Sequence, residues 1–132
     1  MIRGFGLKRG AIASTVAHDS HNIIVVGADD GDMLAAAREL ARIGGGLTVV
    51  ERGEVRATVP LPIAGLMSDK PIREVDEALE NVYKAAGDMG CQLERPFATL
   101  SFMALTPIPE LKLTDQGLFD SVNFKFASLF AD

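Results

Sequence analysis

The sequence predicts an α/β domain, with α+β as the alternative: one mixed β-sheet carrying two principal helices. Three observations lead there. Short β-branched apolar runs at 23–26 (I-I-V-V) and 47–50 (L-T-V-V) read as buried strands. Two longer stretches place apolar residues at helical spacing, each bounded by acids or proline at one end and glycine at the other. The chain has 132 residues, 48% of them apolar and 23% charged, which suits one globular domain over residues 1–132 with a real core.

In order along the chain, residues 11–17 (A-I-A-S-T-V-A) read as a strand, H-D-S-H-N interrupts, and 23–26 form the next strand up to Gly27. Asp29-Asp30-Gly31-Asp32 suit a helix N-terminus, where one acid caps free N–H groups and the others complement the dipole. Met33, Ala37 and Leu40 then follow one helical face, widened by Leu34 and Ala41. Gly44-Gly45-Gly46 stop that helix. The run follows a helix instead of preceding one, so it reads as a C-cap and turn, not a phosphate cradle. The strand 47–50 turns at E-R-G-E into V-R-A-T-V as a hairpin partner.

P-L-P-I-A-G-L-M at 60–67 is apolar but broken by proline and glycine, so it is neither helix nor central strand. This loop and T-P-I-P at 106–109 either cover sheet ends or touch another domain. Ser68, a capping candidate, and Pro71 open the second helix, in which Ile72, Val75, Leu79, Val82 and Ala86 share a face until Gly87 and Gly90. Residues 97–105 (F-A-T-L-S-F-M-A-L) read as a further strand, L-K-L as a short strand at most, and T-D-Q-G as a turn. The tail carries four of the seven phenylalanines, an apolar load that must dock on something.

Composition excludes several functions. A net charge of −5 with no basic block beyond Lys8-Arg9 argues against nucleic-acid binding. No apolar run reaches bilayer length, and the N-terminus has scattered charges without a hydrophobic region, so neither a membrane span nor a secretory signal is expected. The single cysteine, Cys91, forms no internal disulfide, and together these features favour the cytoplasm. Cys91 reads as a small buried hydrophobe, with a thiol paired to His18 or His21 as the sharper alternative. The segment Gly4–Gly10 is glycine-rich but lacks strand–turn–helix context, so it reads as a surface or docking loop.

The densest candidate chemistry is H-D-S-H-N. His18, Asp19, His21 and Asn22 offer imidazole and carboxylate groups for an acid–base pair with an orienting acid, or for a divalent metal. The plain alternative is a polar turn whose side chains bond their own backbone. As metal ligands His18 and His21 are weak candidates, because no further histidine exists and the neighbouring His18 and Asp19 would point apart on an extended chain. No metal or other cofactor is expected in this chain alone.

Four stretches taken together resemble a known family. G-F-G-L-K-R-G-A-I-A-S-T-V-A-H-D-S-H-N-I-I-V-V-G, P-L-P-I-A-G-L-M-S, P-F-A-T-L-S-F-M-A-L and L-K-L-T-D-Q-G-L-F-D are similar, in the same order, to the C-terminal domain of bacterial and archaeal adenine deaminases. The resemblance runs from about residue 3 to the end. It implies an amidohydrolase that converts adenine and water to hypoxanthine and ammonia in purine salvage. It also implies a catalytic (β/α)₈ barrel with a manganese or iron centre, which activates water for attack on C6 of the purine and whose ligands sit on the barrel.

The chain departs from the full pattern. It has no H-x-H ligand pair, and a barrel alone needs about 250 residues. Only Met-Ile-Arg precedes the first matching stretch, so the sequence reads as a fragment, an excised domain or a separately encoded piece, inactive toward adenine unaided. The expected partners are then the catalytic barrel, in cis or in trans, adenine in the full enzyme, and a possible second copy of the chain. The matching turn, His18 to Asn22, is expected to face the barrel and help close the adenine site. The competing readings are a stand-alone protein binding a purine or similar small ligand, and a small metalloenzyme built on His18 and His21.

Overall fold

The computed structural model describes residues 2–130; Met1, Ala131 and Asp132, the ends of the expected 1–132 domain, lie outside the described residues. Four strands form the main sheet: β1 (Ala11–Ser14), β2 (Ile24–Gly27), β3 (Gly46–Glu51) and β4 (Glu54–Pro60), in the order β2-β1-β3-β4. Every pairing is antiparallel. Helix α1 (Asp30–Ile43) covers one face, and α2 (Ile72–Asp88) with the short α3 (Pro96–Ser101) covers the other. The expected mixture of helices and strands is present, as three layers.

The alternation of β1 decides which layer each residue joins. Ile12 packs with Leu47, Val49, Val59, Val82, Met89, Phe97 and Leu100 under α2 and α3. Ala11 and Ala13 pack with Val50, Ala36 and Leu40 under α1, where small residues let the helix approach closely.

Helix α1 begins as the acids suggest: the Asp29 carboxylate accepts the Asp32 N–H at 2.9 Å. It ends at Gly44, whose left-handed backbone (φ 80°) closes the last turn. Asp32 does more than complement the dipole. It is buried, and it accepts the backbone N–H groups of Arg52 (3.1 Å) and Gly53 (2.7 Å) at the tip of the β3–β4 hairpin. Both tip residues are left-handed, as a two-residue hairpin turn requires.

Helix α2 has no side-chain cap; Ser68 accepts from the Lys70 N–H and stays outside the helix. The expected strand at 97–105 is instead α3 followed by turns. Pro96 occupies the first helical turn, where its missing N–H costs nothing. Phe97, Leu100 and Met103 then meet the core at spacings of three, which a strand would have split between two faces.

The Gly4–Gly10 segment is not a free loop. Phe5 is buried, Lys8 N–H donates to the Met89 carbonyl, and a Cβ on Gly10 would collide with Met89 and the Val50 carbonyl. Cys91 packs at the margin of the same core. A second, three-stranded antiparallel sheet closes the chain: β5 (Leu111–Thr114), β6 (Gly117–Asp120) and β7 (Lys125–Phe126). Its strands pack chiefly on one another.

Candidate functional site

Sheet topology brings three distant stretches to one end of the molecule. β1 and β4 finish where β2 and β3 begin, with Ser14 opposite both Ile24 and Leu47, and Gly46 opposite Pro60. The H-D-S-H-N turn, the 44–46 glycines and the 60–68 loop therefore meet there. The C-terminal end of α3 joins them, because His18 N–H donates to the Ser101 carbonyl at 2.8 Å.

Thr15 ties this end together. Its hydroxyl donates to the Gly65 carbonyl at 2.6 Å and accepts the Gly46 N–H at 2.8 Å. β1 stops at Ser14, earlier than the expected 17, because the Ser14 hydroxyl takes the Val16 N–H (2.9 Å) and the chain turns out of the sheet. Glycine is required opposite: a Cβ on Gly45 would strike Gly65, and one on Gly46 would strike the Val59 carbonyl. Leu61 N–H donates to the Gly45 carbonyl, so the 60–68 loop covers the sheet end with buried Leu61. The same loop leaves Ile63 and Met67 exposed.

The turn itself is tight. His21 N–H donates to the Ala17 carbonyl (3.0 Å) and Ser20 N–H to the His18 carbonyl (3.1 Å), while the Ser20 hydroxyl bonds Asn22 Oδ1 at 2.9 Å. Asp19 and His21 adopt left-handed backbone at φ 69° and 48°. This curvature reverses one expectation. His18 and Asp19 do not point apart as on an extended strand; His18 Nδ1 lies 3.2 Å from Asp19 Oδ1. The imidazole also leans on Phe102, ring centroids 5.3 Å apart. The carboxylate is a neighbour of the ring and forms no hydrogen bond with it, and the ring's two nitrogens have no hydrogen-bond partner among the described residues. The arrangement can therefore accept a hydrogen bond, or a proton, from something placed against it.

His21 and Asn22 share the turn but not this pair: Asn22 is held by Ser20, and His21 is exposed. Among the described residues no three of His, Cys, Asp and Glu converge as a ligand set. The residues of the turn thus do not fit the manganese or iron centre that the resemblance places on a barrel. Two members of this end escaped sequence reasoning. Phe102 was hidden in an apolar run read as strand, and Thr15 looked like an ordinary strand residue.

A cleft of about 670 Å³ lies elsewhere, between β4 and α2. Its two arginines are engaged: Arg9 pairs with Glu51 and donates to the Asp88 carbonyl at 2.8 Å, and Arg56 lies 3.8 Å from Glu51. Away from it, Arg42 hydrogen-bonds Glu39 on the surface of α1 and holds that carboxyl below its usual range.

The family model described as adenine deaminase C-terminal domain matches residues 1–125. A protein named adenine deaminase from Dehalococcoides mccartyi is 58% identical over 125 residues, 95% of this chain and 22% of its own length. Namesakes from Desulfatibacillum aliphaticivorans and Moorella thermoacetica are 54% and 52% identical, over 98% and 97% of this chain and 23% and 22% of theirs. The chain thus spans less than a quarter of the length of these curated relatives.

Proposed function

The chain belongs to the adenine deaminase C-terminal domain family, and from that premise we propose that it serves as the non-catalytic partner of a cytoplasmic, metal-dependent adenine deaminase barrel, closing the purine site with its loop end. The observation that carries this reading is the convergence of three separate motif stretches on one end of the sheet. There the interior is locked by Thr15, Gly45 and Gly65. Exposed Ile23, Ile63, Met67 and Phe102 accompany a polar turn whose His18 lies between Asp19 and the Phe102 ring. Apolar rim with a few directed polar groups is the composition of a contact surface beside a ligand site.

In this reading the manganese or iron that activates water belongs to the barrel. This chain's residues act around it: His18 Nε2 accepts a hydrogen bond from substrate, from water or from a barrel loop. Phe102 supports the ring, Asp19 sets a negative charge beside it, and the apolar rim excludes solvent. The alternative, a stand-alone purine-binding protein, would use a cleft, and the one between β4 and α2 has its arginines paired with Glu51.

The test uses a chimera in which this chain replaces the C-terminal domain of the Dehalococcoides mccartyi relative. The isolated chain is expected to leave adenine unchanged even with added manganese, and the chimera to deaminate it. His18→Gln in the chimera should lower kcat/KM by about tenfold or more, equivalent to ~1.4 kcal/mol of transition-state stabilisation. Unaltered turnover in both His18→Gln and His21→Gln would rule the closing role out.

A further inference from the structure

We infer that the outer face of the β5–β6 hairpin is a docking surface, covered in the complete enzyme by the catalytic region of the same polypeptide. This rests on the reading of the chain as an adenine deaminase C-terminal domain. It adds a second contact, apart from the loop end.

The hairpin is inside out. Along β5 the side chains alternate, yet the buried one is Lys112, 5% exposed, while Leu111 and Leu113 are 54% and 60% exposed. An antiparallel sheet with one wet face shows the opposite order, leucine in and lysine out. Lys112 is held by carbonyl groups: its Nζ donates to Pro109 at 3.1 Å and Leu111 at 3.4 Å, and no carboxylate pairs with it among the described residues. A buried lysine beside two solvated leucines is costly at both ends. Covering Leu111 and Leu113 removes half of that cost. Leu118, opposite Leu113 in register, extends the same face. The tail adds exposed apolar area in Val122, Leu129 and Phe130.

The catalytic region is favoured over a second copy for two reasons. The family match, residues 1–125, contains the whole hairpin, and more than three quarters of each matched relative lies outside it. A tethered region therefore meets this face at an effective concentration on the order of a millimolar, far above what a second subunit reaches. Two copies of a chain carrying a net charge of −5 also repel each other.

Hydrogen exchange of the isolated chain and of the chimera tests the inference. Amides at 111–120 should exchange about tenfold or more slowly in the chimera. Leu113→Asp should leave the Tm of the isolated chain unchanged, since the site is open there, and should erase the added protection in the chimera. Equal exchange in both proteins overturns the inference. A concentration-dependent dimer of the isolated chain that Leu113→Asp dissolves also overturns it, assigning the face to a second copy. A chimera that loses turnover on His18→Gln while 111–120 exchange as in the isolated chain would retain the closing role and remove this surface. Added protection with turnover indifferent to His18 would do the reverse.

Discussion

Asp32 and His21 illustrate opposite reasons for a polar residue to hold its place. Asp32 is buried, and both carboxylate oxygens accept backbone N–H groups from the β3–β4 tip. Asp32→Ala would leave those donors unsatisfied under α1, and a cost of ~2–3 kcal/mol is expected in urea unfolding, with the m-value unchanged. His21 makes no comparable bond with its side chain, and its backbone is left-handed. His21→Gly relieves ~1 kcal/mol of backbone strain but adds a similar amount of unfolded-chain entropy. Its stability should therefore stay within about 0.5 kcal/mol, while turnover of the chimera falls. Loss of stability without loss of turnover would mark the turn as scaffold. Neither role was legible in the sequence. Asp32 stood among three acids alike, and its partners lie about twenty positions away. His21 was visible as a candidate, but its strain depends on the turn.

At the scale of elements, legibility followed the strength of local signals. Helices α1 and α2 were readable because apolar spacing and glycine stops agreed, and β3 and β4 because a two-residue turn joined two short runs. Helix α3 was misread because nearly every residue of 97–105 is apolar or small, so periodicity alone could not separate strand from helix; Pro96 was the cue. The tail was read as apolar but not as strands. Its β6–β7 connection is held by Asp120, which accepts the N–H groups of Val122 and Asn123, each at 2.9 Å, and the Asn123 amide at 2.7 Å. The Asn123 side chain leads in holding this carboxyl below its ordinary 3.8, helped by the two backbone N–H groups and nearby Lys125. A depressed folded value means the turn's bonds are intact above the ordinary range and are lost as pH falls through the lowered value. The Val122 and Asn123 amide resonances should therefore titrate below the usual carboxylate range. Asp120→Asn should flatten that step; a step that persists would assign it to another acid.

Across the whole molecule, the convergence at the loop end could not be read from the sequence because it depends on strand order. The order β2-β1-β3-β4 puts the exit of β1 beside the start of β3, which is why residues 15, 46 and 65 meet. The same topology divides the chain energetically. The three-layer part buries Ile12, Val49, Leu40, Val82 and Leu100 completely, whereas the small sheet leaves most of its leucines and phenylalanines in water. Elements with few buried apolar contacts open locally at lower free energy than the core. In the isolated chain, amides of β1 and β3 should therefore exchange only through global unfolding, and those of β5 and β6 through a partial opening several kcal/mol cheaper. Urea-dependent hydrogen exchange separates the two, because a partial opening exposes little surface and depends weakly on denaturant. If all four strands merge into one isotherm, the small sheet is part of the core. If they stay apart, a C-terminal sheet that is marginal alone is what a domain holds in reserve for the protein it joins.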